Sequence, residues 1–424
     1  MIFVYYFFAF VLILLSYRSL TGGFKYLAFF RKELARPRSE YTPFATVIAP
    51  CRGVDAGMQE NLGALFEQDF PEYEIIFVVD DENDPAVAVI EEASQTIATN
   101  VRTGSDAGSP NGHPGRGAGS DRLPVVSKLV IASIAQDCSQ KVENLREAVL
   151  HADDRSEIFV FVDSDARPSK DWLRNLIAPL QDDEAGATTG YRWFISEKPT
   201  FASEMNSVWN ASIASALGPN TNSNFCWGGS MAMHRYTFDR LEMREKWRGT
   251  LSDDFAVTRT MDDANMPIVF VPQAMAATLE SCTFRQMLEF TTRQMKITRV
   301  YAPNLWLLSF VGSGVFNAVM VTSILIMIMS RENNFAVFAA IATLVLVTAF
   351  SVGKAYLRLK AVRLVLTKWD AELRRQTFAQ LTLFLIAPLI FFYNAFAAWL
   401  SRRMTWRGTT YELKSHRETV IIAD

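Results

Sequence analysis

Phe159-Val160-Phe161-Val162-Asp163-Ser164-Asp165-Ala166-Arg167-Pro168 reads FVFVDSDARP. Four apolar residues run into two carboxylates one residue apart, and a proline closes the stretch. A continuous apolar run of this length suits a strand buried on both faces. EIIFVVDDENDP (74–85) repeats the pattern, and TVIAPCRG (46–53) reads as a further buried strand ending in a loop. Between these runs the spacing turns helical. Met58, Leu62, Leu65 and Phe66 share one face of a segment over 58–70 that Pro71 closes, and 86–98 follows as a second helix. PVVSKLVIAS resumes the strand pattern, DCSQKVENLREAVLHA begins a helix, and KDWLRNLIAPLQ is another. EAGATTGYRWF leads into a strand, 203–217 reads as helix, and FCWGGSMAMHR (225–235) as a strand or strand-turn rich in small residues. Strands alternating with helices predict an α/β fold with a mostly parallel sheet covered on both faces.

In such sheets, ligands bind outside the carboxyl ends of the strands. A bare D-x-D is an ordinary turn feature. Two apolar strands of one sheet that both end in aspartate ask for more. Carboxylates at i and i+2 flanking a turn present oxygens to a hard divalent cation such as Mg²⁺ or Mn²⁺, which in turn holds the phosphates of a nucleotide. LSDDFAVTRTMDDA (251–264) places a serine N-cap candidate before a helix whose first turn carries Asp253 and Asp254, as the helix dipole favours. Asp55 and Asp84 read as turn residues. Gly228 and Gly229 read equally as a tight turn or as a close backbone approach to a ligand. TGSDAGSPNGHPGRGAGSD (103–121) reads as a flexible surface loop, and its glycines do not form a dinucleotide fingerprint.

The chain has 424 residues, half of them apolar, and a formal net charge of −3, so bulk charge excludes little. Its distribution is more telling. Cys51, Cys138, Cys226 and Cys282 lie far apart without a CxxC pair, which argues against a disulfide framework or zinc site. The N-terminus MIFVYYFFAFVLILLSY leads into Arg18, Lys25, Arg31, Lys32, Arg36 and Arg38 and reads as an uncleaved membrane anchor with a cytoplasmic basic flank. Residues 303–329 and 334–352 read as transmembrane helices, followed by a basic stretch over 354–376. The apolar segment 378–400 is interrupted by Pro388. A full span there would put the basic tail outside, so a re-entrant or interfacial hairpin is expected, with a plain fourth span as the alternative. FRQMLEFTTRQMKITRVY (284–301) is a basic amphipathic segment suited to the headgroup plane.

The segments APCRGVDAGMQENLGALFEQDFPEYEIIFVVDDENDPA, CSQKVENL, VDSDARP and LSDDF, in this order, resemble the inverting glycosyltransferases of families 2 and 21, and the ceramide glucosyltransferase type most closely. The resemblance covers roughly residues 45–300. It implies a glycosyltransferase-A domain, Rossmann-like, over 45–302, behind an anchor (1–20) and a basic linker (21–44), with membrane or interfacial helices and a basic tail over 303–424. It also implies a multi-pass membrane protein whose catalytic domain faces the cytoplasm. The expected donor is a UDP-sugar such as UDP-glucose, and the expected acceptor a membrane lipid such as ceramide. A divalent cation is the implied cofactor, and no nucleic-acid partner is expected.

Residue by residue, Asp81 and its neighbour Asp80 would lie beside the nucleotide, and Lys141 and Asn144 would form a nucleotide-contacting turn. Asp163 and Asp165 match the DxD-like pair, with Asp165 the more direct metal ligand. Asp254 matches the general base, supported by Asp253. A basic Q/R-x-x-R-W signature has its best match at Arg293-Gln294-Met295-Lys296-Ile297, where lysine replaces the arginine and isoleucine the tryptophan. Charge survives there, but a planar bidentate contact and an aromatic platform do not. That departure leaves open transfer of N-acetylglucosamine or another sugar to a hopanoid or isoprenoid lipid. A processive polysaccharide synthase is disfavoured by the few spans and the missing tryptophan. The reading from another class is a non-catalytic membrane scaffold or transporter that binds nucleotide-sugar. No charged residue interrupts the middle of a span, which opposes transport.

Overall fold

The computed structural model describes residues 2–105, 125–330 and 333–422. It divides into two compact units, one of 37–192 with 224–278 and one of 1–36 with 193–223 and 279–424.

The first unit is built on a seven-stranded sheet. In chain order its strands are β1 (Ala45–Pro50), β2 (Tyr73–Val79), β3 (Val126–Ile131), β4 (Ile158–Phe161), β5 (Ala187–Thr189), β6 (Met231–His234) and β7 (Ile268–Phe270). Across the sheet they lie in the order β3-β2-β1-β4-β6-β5-β7. β3, β2, β1 and β4 run parallel, with Pro50 opposite Val78 and Ile48 opposite Phe161. β6 reverses, with Met231 opposite Phe161, and β5 and β7 run parallel to each other. Every residue of β2 and β4 is buried, as the apolar runs IIFVV and IFVF require, and the one charged residue among them, Glu74, pairs with Lys128 at 2.8 Å.

Connecting helices include α1 (Met58–Phe66), α2 (Ala86–Ser105), α3 (Gln140–Ala148) and α4 (Asp253–Asp263). The register has a direct consequence for the site. Parallel β1, β2 and β4 all end at one edge of the sheet, delivering Arg52, Asp80 and Asp163 there. Reversed β6 starts at that same edge, so Gly228 and Gly229, which precede it, arrive beside Asp163.

Two helix boundaries differ from the periodicity, and one expected cap holds its position without its bond. The helix expected over 58–70 stops at Phe66, since Gln68 turns its side chain back onto the backbone oxygens of Ala64 and Ser169. α2 runs on to Ser105, through the start of the expected 103–121 loop; positions 106–121 of that loop lie outside the described residues. Ser252 does occupy the N-cap of α4, but its hydroxyl donates to the Asp254 carboxylate and makes no cap bond.

The second unit is mostly helical. αA (Ile2–Leu34), αB (Phe201–Ala214), αC (Phe284–Tyr301), αD (Pro303–Met329), αE (Asn334–Val365), αF (Thr377–Thr382) and αG (Ala387–Leu400) form it. αA, αD and αE are each long and apolar enough to cross a membrane. They share a core of Tyr5, Ala9, Leu12, Val319, Ile326, Ala336 and Ala340, and the Tyr5 and Ser323 hydroxyls are 2.8 Å apart.

αC starts where its capping box predicts: Thr283 accepts from the Gln286 N–H and the Gln286 side chain accepts from the Thr283 N–H. αE does not stop at residue 352. It continues through the basic stretch to Val365, because Ala, Leu, Lys and Arg are all good helix formers. αF and αG form a pair bent by 58°, with Pro388 in the first turn of αG. The basic tail folds as a three-stranded antiparallel sheet, βA (Arg403–Trp406), βB (Thr409–Ser415) and βC (Glu418–Ile422). Arg407 and Gly408, both at positive φ (49° and 82°), make the two-residue turn between βA and βB. All four cysteines are free thiols.

Candidate active site

The edge of the sheet gathers an acidic cluster around one lysine. The Lys141 ammonium lies 2.7 Å from Asp163 Oδ1 and 3.0 Å from Asp253 Oδ1. Lys141 is in the first turn of α3, Asp163 lies in the turn after β4 and Asp253 opens α4, so three separate parts of the chain converge on one charge. Burial by itself would lower the lysine pKa. Asp163, Asp253 and Asp254 outweigh that effect and hold the ammonium charged. Burial pushes the Asp253 carboxyl up to about 6 against the pull of Lys141, and Asp254 and Asp163 add to the rise. Asp253 Oδ2 is buried with no hydrogen-bond partner among the described residues. It faces Gly228: a Cβ at that position would collide with this oxygen and come within 2.8 Å of Lys141 Nζ. A Cβ on Gly229 would strike the Trp227 ring. Both glycines are therefore required for close packing.

Asp254 is held differently. Its Oδ1 accepts from the Ser252 hydroxyl and from the Phe255 N–H at 2.7 Å, and its Oδ2 accepts from the Gly228 N–H at 3.3 Å. A carboxylate held at a helix N-terminus by three donors has a defined direction.

Asp165 is 33% exposed at its side chain, with Oδ1 buried and Oδ2 at 3.6 Å from Arg192 Nη1. The Arg192 guanidinium sits over Trp227, 5.2 Å from the ring centre, and Trp227 packs edge-on against Tyr191. Burial raises the Tyr191 phenol, which stays protonated. The turn itself is tied down: Asn61 donates to the Ser164 carbonyl, and the Ser164 hydroxyl donates to Asp55. Arg192, Tyr191 and Trp227 escaped the sequence reading, because one basic residue ahead of a strand gives no signal of its own.

Asp80 is the buried member of its pair. Its Oδ2 is 3.9 Å from Arg52, and its Oδ1 has no hydrogen-bond partner among the described residues. Asp81 is exposed and accepts from the N–H and side chain of Asn83. Asp84 accepts from the Gly53 and Ala86 N–H groups, tying the loop after β1 to the start of α2, as a turn residue does. Asn144 is buried, with its oxygen taken by Gln140, which in turn clamps residues 133–135. Asn144 thus shapes the loop after β3 from beneath.

The donor set suits a hard cation. Asp163 and Asp165 supply carboxylate oxygens, of which one on Asp163 already faces Lys141. Among the described residues no group of three or more His, Cys, Asp or Glu side chains is arranged to hold a metal ion by itself. Mg²⁺-type sites that serve nucleotides commonly take only one or two protein carboxylates, and phosphate and water complete them. The residues fit that form, with Asp165 as the accessible ligand.

Arg293 and Lys296 belong to the second unit, on αC. Arg293 stacks on Phe290 and on Trp406 of βA, 5.4 Å from each ring centre. The tail thus brings an aromatic ring to Arg293 that the local signature lacks. Lys296 donates to the Arg403 carbonyl at 2.5 Å, and burial lowers its pKa.

A family model for glycosyl transferase family 21 matches residues 8–105 and 123–419, nearly the whole chain. The chain belongs to glycosyltransferase family 21. A curated relative of the family 21 protein is a ceramide glucosyltransferase of Komagataella phaffii, 36% identical over 70 residues. That span is 16% of this chain and 14% of the relative, so the chain matches well under two thirds of the relative's length. Among solved structures, a mannosyltransferase from Pyrobaculum calidifontis in complex with GDP-mannose and Mn²⁺ aligns over 92% of this chain and 99% of its own, with 17% identity and a TM-score of 0.42. A mycobacterial protein aligns over 62% of this chain and 79% of its own, with 13% identity and a TM-score of 0.38. Likeness at that level says nothing about substrate. The family match makes the protein a glycosyltransferase.

Proposed function

We propose that this family 21 enzyme transfers a hexose from a UDP-sugar, UDP-glucose in the first instance, to a hydroxyl of a membrane lipid such as ceramide, with inversion at the anomeric carbon. The catalytic unit is a glycosyltransferase-A domain over 45–302 on the cytoplasmic face of a multi-pass membrane protein, with an anchor over 1–20, a basic linker over 21–44 and membrane or interfacial helices over 303–424.

The observation that carries this reading is the division of labour between Asp253 and Asp254. Asp253 is buried and committed to Lys141. Asp254 is fixed by Ser252, Phe255 and Gly228 at the sheet edge where ligands bind. Asp254 acts as the general base, taking the acceptor hydroxyl proton as that oxygen attacks the anomeric carbon. One base without a covalent nucleophile gives a single displacement, hence a β-linkage from an α-linked donor.

Asp165 and Asp163 would hold a divalent cation, which when bound neutralises charge on the leaving diphosphate. Lys141 keeps Asp163 and Asp253 in register and offsets part of the charge that three neighbouring carboxylates would otherwise impose on a phosphate ligand. Asp80 and Asp81, at the end of β2, line the nucleotide side, and Asn144 supports the adjoining loop. Arg293 and Lys296 are the basic residues assigned to the diphosphate, by resemblance to the family signature. Three helices long and apolar enough to cross a membrane support a lipid acceptor.

The reading is tested by incubating membranes containing the chain with a mixture of nucleotide-sugars, Mg²⁺ or Mn²⁺ and total membrane lipid. Products are then read by mass spectrometry, and the new linkage by proton NMR. A hexosyl lipid with a β-anomeric coupling is expected. A glycosylated product with an α-linkage contradicts the single displacement, and an N-acetylhexosaminyl lipid corrects the donor.

A further inference from the structure

The second unit contains a buried cation that no described residue neutralises. Arg358, on αE, is 5% exposed. Among the described residues its guanidinium donates to two neutral oxygens, Ser215 Oγ and Gln380 Oε1, each at 3.3 Å, and its Nε has no hydrogen-bond partner. One turn earlier, half-buried Lys354 lies where αE meets αA. There Gly23 brings the helix backbones close enough that a Cβ on it would be 3.4 Å from the Lys354 Cα.

The acids within reach are accounted for. αE and αF contain no Asp or Glu. αA contributes only Glu33, which pairs with Arg36 at 3.0 Å. αB contributes only Glu204, one of whose oxygens is engaged by Ser196 and Gln376 while Oε2 has no partner among the described residues, and the acidic hydroxyl beside Arg358 is the Tyr26 phenol, neutral at ordinary pH. Asp370 pairs with Arg363 and Arg374, and Glu372 with Arg375. A buried guanidinium with weak neutral partners is costly unless an anion completes it. Its planar fork matches the paired oxygens of a phosphate or a carboxylate.

The position narrows the source of that anion. Lys354 and Arg358 lie in the last third of a helix long and apolar enough to cross a membrane, where its charged residues begin. The level at which a span turns from apolar to basic is the level of lipid headgroups. We propose that the second unit carries a phosphate-binding site at Lys354 and Arg358 that takes the headgroup phosphate of a membrane phospholipid. Lys354, the less buried of the two, is its entry side, and Arg358, held by Ser215 and Gln380, is its floor. This site does not depend on the assignment of donor or acceptor.

The test follows thermal unfolding of the purified full chain in neutral detergent. The additions are phosphatidylglycerol, diacylglycerol without a phosphate, or inorganic phosphate. The variants are K354Q, whose side chain is partly exposed and whose fold should persist, and R358M. Phosphatidylglycerol is expected to raise the wild-type Tm by several degrees, K354Q to lose most of that increment and R358M to lack it, while diacylglycerol leaves all three unchanged. Equal increments in wild type and K354Q would overturn the site. A full increment from inorganic phosphate alone would overturn the lipid as its source. R358M is expected to unfold in neutral detergent no earlier than the wild type, because an apolar replacement removes an unpaired charge. Should R358M not fold, the K354Q comparison decides the matter.

Discussion

Asp253 and Asp254 are neighbours in sequence with different environments, and those environments set their roles. Asp253 is surrounded by protein, and its pKa rises from the ordinary 3.8 to about 6 on folding. A carboxyl with a raised folded pKa binds its proton more tightly in the folded state, so its contribution to stability is fullest below about pH 4 and is lost as pH climbs to 6. The wild type should therefore lose stability over that window relative to D253N, and the Tm difference between them should widen from pH 4 to pH 6 and then level. A difference that stays flat across the window would contradict the burial of this carboxyl.

Gly228 offers a second prediction at this scale. G228A would force a methyl against Asp253 and Lys141. It should cut transfer by at least ~100-fold, the size of effect expected when a catalytic group loses its geometry, while far-UV circular dichroism stays unchanged.

The two carboxylate-ended strands were legible because an unbroken apolar run must be buried, and acids directly after it mark where the chain leaves the core. The Lys141 bridge was not. Its partners are Asp163 and Asp253, residues brought together only by the reversal of β6 and the placing of α4. A lysine read alone looks like a solvated surface charge. Ser252 takes the N-cap position that its place before Asp253 suggests, but its hydroxyl is drawn to the charged Asp254 carboxylate, so the cap is positional and carries no side-chain bond.

At the level of elements, αC coincides with the basic amphipathic segment 284–301, and the capping box of Thr283 and Gln286 that starts it went unread. Thr283→Ala removes the cap and should cost about 1 kcal/mol of stability, measured as a lowered midpoint in chemical denaturation. The sheet of the tail was missed, since its apolar residues are few: Met404, Tyr411 and Leu413 are buried among many charged ones. Its available clue was Arg407-Gly408 between two short β-prone runs. Gly408 has φ +82°, so Gly408→Val should destabilise the hairpin by at least about 1 kcal/mol and loosen Trp406 from Arg293. A loss of Trp406 fluorescence shift in that variant, with the first unit still folded, is the expected signature. The continuation of αE past residue 352 was hidden by charge. Lysine and arginine end an apolar run without ending a helix, because their long stems lie along the apolar neighbours while the heads reach polar surroundings.

For the whole molecule, the sequence indicated a sheet-based domain flanked by apolar helices, and the structure contains both. It could not show that the chain builds its helical unit from three separate stretches, 1–36, 193–223 and 279–424, because contacts so distant in sequence leave no local pattern. Topology remains a property of the whole chain in its membrane. The 58° bend between αF and αG suits a re-entrant hairpin as well as a broken span. Our reading places the tail on the cytoplasmic face. A membrane-impermeant thiol reagent should then leave T410C unlabelled in right-side-out vesicles and label it in inverted ones. The opposite pattern would make 377–400 a full crossing.

The central claim is that Asp254 is the base of a lipid-directed glycosyl transfer. The most direct measurement compares wild type and D254N in the same membranes for two quantities, glycolipid formed and UDP-sugar bound. The account predicts transfer reduced by at least ~100-fold in D254N with donor binding retained. Transfer that survives D254N would contradict it.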